Sequence, residues 1–406
     1  MFRLYTTIFI LAGQTYLLFR LLKYVKSVGT FPSWVRHAIV MLFVVFNLPL
    51  LWIYFYIWRL THLPEHISMM LIPFFIWHVA TLFIFLVLGI TEVVKFALKI
   101  PYKMALFHPV IKSRVNVMKD SPRYQKFDAS RRSFLQKGII GLSAYSFIGS
   151  TAGVVRKEEY DIIHQTITIP NLPEEFKGFR IGMLSDVHSS VFMNKDDMAM
   201  YVKAMNDLKT DLVVVTGDMV NSQTEEVYPF AETFSELRAP YGVYGCLGNH
   251  DFFTKNVELV SREIDNCGVK LLRNDAVKIQ KGNSFLNLIG VDDIGRNTKP
   301  EEYISRAMST VRNEMPKILL CHKPYYIGTA HQFHIDLTLS GHTHGGQIVF
   351  ATIDRVPISL AALASKYIAG LYSYNSSQLY VNRGLGSVGV PFRINCPPEV
   401  TVITLA

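Results

Sequence analysis

The sequence predicts an α/β domain that follows a group of transmembrane helices. Half of the 406 residues are hydrophobic, and the apolar excess lies in the first part of the chain. In the second part, short apolar runs alternate with stretches of helical periodicity such as KDDMAMYVKAMNDL and NVELVSREIDN. This alternation is typical of helices that pack on a β-sheet. The chain is also long enough for two separate units.

Three apolar stretches near the N-terminus, residues 4–22, 38–58 and 67–90, are each long enough to cross a bilayer. The hydrocarbon core of a bilayer requires about 20 residues of helix. We therefore predict three transmembrane helices within residues 1–90. A fourth apolar stretch, residues 138–155, is predicted to be either a fourth transmembrane helix or the apolar part of an export signal.

Charge placement predicts the orientation of these helices. Residues 91–137 contain eleven Lys and Arg residues against three Asp and Glu residues, and basic segments of this kind stay in the cytoplasm. We therefore predict a basic cytoplasmic loop here. It ends in SRRSFLQK, residues 130–137, which resembles a twin-arginine export motif, although an ordinary basic cluster beside a membrane has a similar composition.

Both interpretations of that motif predict the same topology. The protein would be a multi-pass protein of the plasma membrane, which is the inner membrane in a bacterium. Its second part, residues 156–406, would face away from the cytoplasm.

Net charge differs between the two parts of the chain. Residues 1–137 carry a net charge of +13, whereas the remainder carries −4. A protein that binds along a nucleic acid requires a basic stripe, and the second part has no such excess of positive charge. We therefore expect no nucleic acid partner.

Five apolar runs of the second part end in polar side chains that can bind metal ions. These runs are FRIGMLSDVH, DLVVVTGDMV, VYGCLGNHD, KILLCHKP and DLTLSGHTHGG. Ligands of open α/β sheets gather outside the carboxyl ends of the strands, so five such strands would bring their side chains together. A single motif of this kind can equally be a loop histidine bonded to nearby backbone. The candidate residues are Asp186, His188, Asp218, Asn249, His250, Asp251, His322, His342 and His344.

The residue types predict the chemistry of this site. Mixed imidazole, carboxylate and amide ligands suit Mn, Fe or Zn better than Mg or Ca, which prefer oxygen ligands. Two such ions about 4 Å apart can lower the pKa of a shared water to about 7 and stabilise the attacking and leaving oxygens of a phosphoryl displacement. We therefore predict two divalent metal ions and hydrolysis of a phosphate ester by a metal-bridging hydroxide.

The succession DxH, GD, GNHD, H and GHTH resembles the calcineurin-like metallophosphoesterase superfamily over about residues 165–406. The closing NRGLG, PFR and PPEV segments are similar to those of its membrane-associated bacterial phosphodiesterase branch. The resemblance implies a four-layer sandwich, in which helices flank two facing sheets and the metal ions lie at one edge. It implies a first metal ion on Asp186, His188 and His344, a second on Asn249, His322 and His342, and Asp218 as a bridge between them.

The resemblance also implies catalytic roles for two neighbouring residues. His250 would protonate the leaving oxygen or stabilise its charge, and Asp251 would hold the imidazole in orientation. The alternative for His250 is a structural role next to the ligand Asn249.

The substrate class follows less directly from the motifs. Phosphoprotein phosphatases of this superfamily carry Asp and Arg where this chain has Asn221 and Ser222, so a protein substrate is doubtful. We expect a phosphodiester, with pyrophosphate and phosphomonoester as alternatives, and a lipid- or envelope-linked substrate because of the membrane part. A lipid-linked pyrophosphate hydrolase of the UDP-diacylglucosamine type is an alternative, although that branch tends to carry Arg at the position of His250. Another alternative is a metal-binding sensor domain that does not catalyse hydrolysis.

Two further features allow two interpretations each. Lys323, Arg383 and Arg393 can attract a phosphate, or be solvated or paired with carboxylates. The stretch RVPISLAALASKYIAGLY, residues 355–372, is either buried core or an apolar lid beside the metal ions that exposes Leu360, Leu363 and Ile368.

Overall fold

The described part of the computed structural model comprises residues 2–55, 65–155, 159–295, 298–311, 314–353, 356–389 and 393–406. These residues form two units that meet in sequence near residue 155. Residues 56–58 of the second predicted apolar stretch and Arg355 of the stretch 355–372 lie outside the described residues.

The N-terminal unit is helical. Its helices are α1 (Phe2–Val28), α2 (Ser33–Phe55), α3 (Glu65–Ala105), α4 (Pro109–Asp120) and α5 (Pro122–Val155). Within the described residues, three helical segments are long and apolar enough to cross a membrane: Tyr5–Val28, Ser33–Trp52 and Met70–Ala105. They overlap the three predicted apolar stretches, and they make this a membrane-associated protein.

A buried polar contact joins two of these helices. The Nε2 atom of Gln14 in α1 donates to Oγ1 of Thr81 in α3 at 2.5 Å, and Nε1 of Trp77 donates to Oε1 of Gln14 at 3.2 Å. Polar groups inside an apolar bundle are tolerated when a neighbouring helix satisfies them. This contact explains how α1 accommodates a glutamine.

The segment predicted as a basic loop is helical instead. Residues 91–105 continue α3, and α4 and the first half of α5 cover most of residues 109–137. The prediction used the charge of the segment, and Lys and Arg are good helix formers, so a basic stretch is compatible with a helix. Arg131 and Arg132 both pair with Asp128, one turn earlier in α5. The apolar stretch 138–155 forms the second half of α5, and its role as a span or a signal stays a prediction.

The C-terminal unit contains two six-stranded sheets. The strands are β1 (Asp161–Ile167), β2 (Arg180–Leu184), β3 (Leu212–Thr216), β4 (Val243–Cys246), β5 (Val269–Leu271), β6 (Asp275–Lys281), β7 (Ser284–Gly290), β8 (Lys317–Leu320), β9 (Leu337–Ser340), β10 (Val349–Ile353), β11 (Val356–Ser359), β12 (Gly370–Tyr374), β13 (Ser377–Val381) and β14 (Glu399–Leu405). The first sheet has the order β1-β14-β2-β3-β4-β5, and the second has the order β12-β13-β9-β8-β7-β6. Strands β10 and β11 pair separately.

Helices cover the outer face of each sheet. They are α6 (Lys195–Asp207), α7 (Val227–Phe234), α8 (Val257–Asn266), α9 (Pro300–Ala307) and α10 (Ile327–Gln332). One core cluster joins β3 to α6, α7 and α8, and another joins β8 to α9 and α10. A third lies between the sheets and contains Ile181 and Val214 of the first with Leu288 and Leu339 of the second. The predicted four-layer α/β sandwich is therefore confirmed.

The strands that carry the predicted motifs are parallel neighbours in each sheet. Strands β2, β3 and β4 pair in parallel, and so do β8 and β9. Their four or five residues are almost all buried and most are apolar, as expected for strands covered on both faces. Parallel strands end at the same edge, so the polar residues that follow them are brought together.

Candidate metal centre

The structure brings the predicted metal ligands together at the ends of β2, β3, β4, β8 and β9. Among the described residues, three groups of side chains each have ligand atoms within 4.8 Å of one another. They are Asp186 with His188 and His344, His188 with Asp218 and His250, and Asp218 with His322 and His342. The first group contains the three residues that the resemblance implied for one metal ion. The third contains the proposed bridge Asp218 with two of the three residues implied for the other, and Asp218 belongs to two groups.

Five of these residues have an unusual backbone conformation. The residues with positive φ are Asp186 (49°), His188 (50°), Asp218 (52°), His342 (73°) and His344 (52°). Positive φ is uncommon for residues other than glycine and costs free energy, so it persists where surrounding contacts impose it. Here the left-handed turns direct side chains from the strand ends towards a single place.

Glycines allow the strand-end loops to approach the carboxylates closely. A Cβ atom at Gly248 would collide with the side chain of Asp218, and one at Gly341 would collide with that of Asp186. Only glycine lacks this atom. The glycines of the GNHD and GHTH motifs are therefore required by the packing of the carboxylates.

Burial sets the charge of three site histidines, of which His188 and His344 are almost fully buried and His342 is partly buried. Burial lowers the pKa of His188 and of His342 to about 3, and it lowers the pKa of His344 well below the ordinary value. These three rings are therefore neutral near pH 7. Neutral imidazole is the form that binds a metal ion.

The Asp218 carboxylate lies between imidazoles from both sheets. Its Oδ2 atom is 3.1 Å from Nε2 of His322 and 3.6 Å from Nε2 of His188. Burial alone would raise the pKa of Asp218, but these imidazoles hold it well below the usual range. Burial opposes charge on His322 as well, yet Asp218 raises the pKa of His322 to about 10. With this pKa the ring of His322 carries a proton on Nε2 near pH 7. A cation bound between Nε2 and the Asp218 carboxylate would take the place of that proton.

The orientation of His322 suits a metal ligand. Its Nδ1 atom lies 2.8 Å from the carbonyl oxygen of Thr216. A carbonyl oxygen can only accept, so Nδ1 carries a hydrogen, and loss of the Nε2 proton would leave a lone pair that faces Asp218. Histidine ligands of metal ions commonly donate their other ring N–H to a backbone carbonyl in this way.

Asn249 has a buried amide oxygen with no hydrogen-bond partner. Its neighbour His250 donates its backbone N–H to Oδ1 of Asp218 at 2.8 Å, which places the GNHD loop on the same carboxylate. A buried oxygen without a partner is costly unless another group satisfies it. An ion at this position would satisfy it, so the residues present fit two divalent metal ions.

Known proteins are similar to this chain. The family model for calcineurin-like phosphoesterases matches residues 179–346. A transmembrane protein with metallophosphoesterase domain from Danio rerio is 32% identical over 60% of this chain, which spans 57% of that protein. An uncharacterized metallophosphoesterase of Helicobacter pylori is 31% identical to this chain, and the match covers 68% of this chain and 71% of the length of that protein. The uncharacterized metallophosphoesterase YkuE of Bacillus subtilis is 31% identical over 68% of this chain and 97% of its own.

The chain belongs to the calcineurin-like metallophosphoesterase family. It is therefore a metal-dependent phosphoesterase that acts on a phosphorylated substrate. The superfamily predicted from the order of the motifs is confirmed. Divalent metal ions follow from the family together with the three side-chain groups.

Asp251 has a different set of contacts from the one predicted. Its carboxylate is fully buried and accepts backbone N–H groups of Gly248, Asp218, Met219 and Val220 at 2.8–3.0 Å. Burial raises the pKa of Asp251 to about 7. It therefore joins the loop after β3 to the loop after β4, and the expectation that it orients the imidazole of His250 is wrong.

The ring of His250 is held by the backbone of another loop. Its Nδ1 atom lies 2.5 Å from the carbonyl oxygen of Asn221, and its ring centroid lies 4.5 Å from that of His188. Sequence reasoning missed this partner, because a backbone carbonyl is present at every position and leaves no sequence signal.

Three basic residues considered as phosphate contacts are engaged elsewhere in the phosphoesterase. The Nζ atom of Lys323 lies 2.7 Å from Oδ1 of Asp293. Arg383 forms ion pairs with Glu399 and Asp161. The buried guanidinium of Arg393 donates to backbone carbonyls, including that of His344 at 3.2 Å. These contacts favour a structural role for all three.

Proposed function

We propose that this phosphoesterase holds two divalent metal ions and hydrolyses a phosphodiester, with pyrophosphate and phosphomonoester hydrolysis as related reactions of the same site. The observation that carries the proposal is the Asp218 carboxylate, which lies in one ligand group with His188 and in another with His322 and His342. A carboxylate can bind one ion through each oxygen. The first ion would be held by Asp186, His188 and His344 and the second by Asn249, His322 and His342, with Asp218 shared.

The bound ions would activate the attacking water and neutralise charge on the phosphate oxygens. The chain supplies the proton for the leaving group. When the ring of His250 is protonated, Nδ1–H donates to Asn221 and Nε2–H is free to donate. As the bond between phosphorus and the leaving oxygen breaks, the Nε2 proton would pass to that oxygen and leave the ring neutral.

The donor set favours Mn, Fe or Zn as the ions. The proposed ligands are imidazole nitrogens, carboxylates and one amide oxygen. Imidazole suits these transition metals, whereas Mg and Ca favour shells of oxygen. The four cysteines are outside the set, so thiolate does not contribute.

Two exposed aromatic rings beside the site support a substrate with an apolar group. Phe253 is 61% exposed and its ring lies 4.9 Å from that of His250. Tyr325 is 42% exposed and its ring lies 5.6 Å from that of His342. Apolar surface next to convergent polar groups is typical of sites for partly apolar ligands. Together with the apolar helices, it favours a lipid- or envelope-linked phosphodiester as the substrate.

The membrane topology forms part of the proposal. The basic residues of segment 91–137 favour a cytoplasmic location for this segment by the positive-inside rule. With α5 crossing the membrane, the phosphoesterase unit would lie outside the cytoplasm of a multi-pass plasma membrane protein, in the inner membrane if the cell is bacterial.

Hydrolysis by the purified full-length protein tests the reaction. With Mn²⁺, we expect release of 4-nitrophenolate from bis(4-nitrophenyl) phosphate and no release after chelation. A metal-binding sensor domain would release none in either condition. Replacing Phe253 or Tyr325 with Ser is expected to raise KM for a diester with a long alkyl chain more than KM for a methyl diester, and equal changes would contradict the proposed substrate class.

A further inference from the structure

A buried glutamate organises the loop that contacts His250. The Oε2 atom of Glu226 accepts three consecutive backbone N–H groups, from Asn221 at 2.9 Å, Ser222 at 2.7 Å and Gln223 at 2.8 Å. Its side chain is almost fully buried. Three charge-assisted hydrogen bonds to one oxygen hold the loop in a defined conformation.

The peptide bond between Asn221 and Ser222 connects this glutamate to His250. Its N–H donates to Glu226, and its C=O accepts from Nδ1 of His250 at 2.5 Å. The N–H and C=O of a trans peptide lie in one plane and point in opposite directions. Fixing the direction of the N–H therefore fixes the direction in which the carbonyl meets the imidazole.

We propose that Glu226 is a positioning residue for His250: its carboxylate fixes the peptide plane between Asn221 and Ser222, and that plane directs Nε2 of His250 at the leaving oxygen. This inference rests on the proposed function. The carboxylate also polarises the peptide, which strengthens its carbonyl as an acceptor. Burial raises the pKa of Glu226 to about 7, which is consistent with a carboxyl group held away from water.

A purely structural role is the alternative, because Glu226 also closes the capping box of the short turn Thr224–Glu226 and accepts from Ser189 through its backbone. A structural residue would alter all reactions of the site alike. A residue that acts through His250 would alter only the transfer of the proton from His250 to the leaving oxygen. Two substrates that depend differently on proton transfer separate these roles.

The substrates for the test are methyl 4-nitrophenyl phosphate and methyl phenyl phosphate. They differ in the acidity of the departing phenol, and the poorer leaving group needs the proton more. In the full-length protein with Mn²⁺, Glu226→Ala is expected to slow the phenyl ester by about tenfold to a hundredfold, as a small misplacement of a catalytic group does. The 4-nitrophenyl ester should be slowed much less, and the metal content should not change.

Three matched variants accompany Glu226→Ala in the test. Glu226→Gln keeps an oxygen that can accept the same N–H groups, so it should recover most of the rate on the phenyl ester. Glu225→Ala removes an exposed neighbouring carboxylate and should have no effect. If Glu226→Ala fails to fold, Glu226→Asp replaces it, since the shorter side chain withdraws the carboxylate and should give the same selective loss.

A double-mutant cycle completes the test. In a His250→Ala background, Glu226→Ala should slow the phenyl ester no further, because the two residues act as one unit. Equal losses on both esters, or additive losses in the cycle, would overturn the proposal for Glu226 while leaving the phosphoesterase proposal intact. If the unmodified protein with Mn²⁺ hydrolyses neither ester, the proposed function fails, and this inference fails with it.

Discussion

The Nε2 atom of His188 lies 3.1 Å from the Nε2 atom of His344, at a place where both rings are almost fully buried. Both rings are neutral near pH 7, since burial lowers the pKa of each. Two lone pairs at this distance repel each other unless a proton or a cation lies between them. The pair joins a loop of the first sheet to a loop of the second, so a shared ion would also connect the two sheets.

Metal binding is therefore expected to stabilise the phosphoesterase unit. Saturation with Mn²⁺ at about 100 times Kd should add about 2.7 kcal/mol to the free energy of unfolding, because the ion binds the folded state. Thermal unfolding of the chelated protein with and without added Mn²⁺ measures this. His344→Ala should reduce the shift, whereas the exposed His164→Ala should leave it unchanged. An equal shift in His344→Ala would contradict the assignment of His344.

Substitutions of Asp218 and of His250 are expected to have different effects on metal binding and turnover. Asp218→Asn removes the shared anionic ligand, so both metal ions and turnover should be lost. His250→Ala should keep both metal ions and lose rate by about 10²- to 10⁴-fold, as for other general acids. Metal content and the rate on methyl phenyl phosphate, whose poor leaving group needs the proton, are measured together. Retention of two metal ions and full activity by Asp218→Asn would show that the ligand set is wrong.

Asp251→Asn is expected to act mainly on stability. The amide that replaces one carboxylate oxygen would present N–H groups to backbone N–H groups, and lost buried hydrogen bonds cost about 1–3 kcal/mol each. Chemical denaturation should show a lower free energy of unfolding. Asp265→Asn, in an exposed position, serves as the control. Unchanged stability with a selective loss of rate would restore the original expectation that Asp251 acts on His250.

The stretch 355–372 combines both predicted environments. Ile368 is buried, whereas Leu363 is 87% exposed on the short helix Leu360–Leu363. That helix packs against the turn that begins at His344. The side chain of Leu360 lies outside the described residues.

Leu363→Ser is expected to leave the melting temperature unchanged, because exposed substitutions usually change stability by less than about 0.5 kcal/mol. Ile368→Ser should lower it. If the exposed turn contacts lipid, Leu363→Ser should slow a long-chain alkyl diester in vesicles and leave a soluble aryl diester unaffected. Parallel loss of both activities would eliminate the lid interpretation.

The topology can be tested with reporter fusions. A reporter active only outside the cytoplasm should be active after Ala406 and silent within residues 91–137. The reverse pattern would contradict the proposed orientation. Replacing Arg131 and Arg132 with Lys keeps the positive charge, so it should block export only if the twin-arginine motif is used.

Much of the site was predictable because parallel strands end at a common edge. Asp186, Asp218 and His322 each follow an apolar run. A buried parallel sheet brings such positions together regardless of the conformation of the loops between them. The helical character of segment 91–137 was missed, since charge predicts the side of the membrane and carries little information about backbone conformation.

By itself the sequence determined the α/β class of the second unit, the apolar helices and the set of candidate ligands, because hydrophobic periodicity and residue type are properties of short segments. The four-layer arrangement was implied by the resemblance to a known family. Only the tertiary structure decided what each buried acid does. Asp251 adjoins His250 in sequence yet bonds to backbone amides, whereas Glu226 is distant in sequence and reaches His250 through the carbonyl of Asn221. A hydrogen bond depends on direction, and the left-handed turns at these strand ends set directions that residue order does not encode.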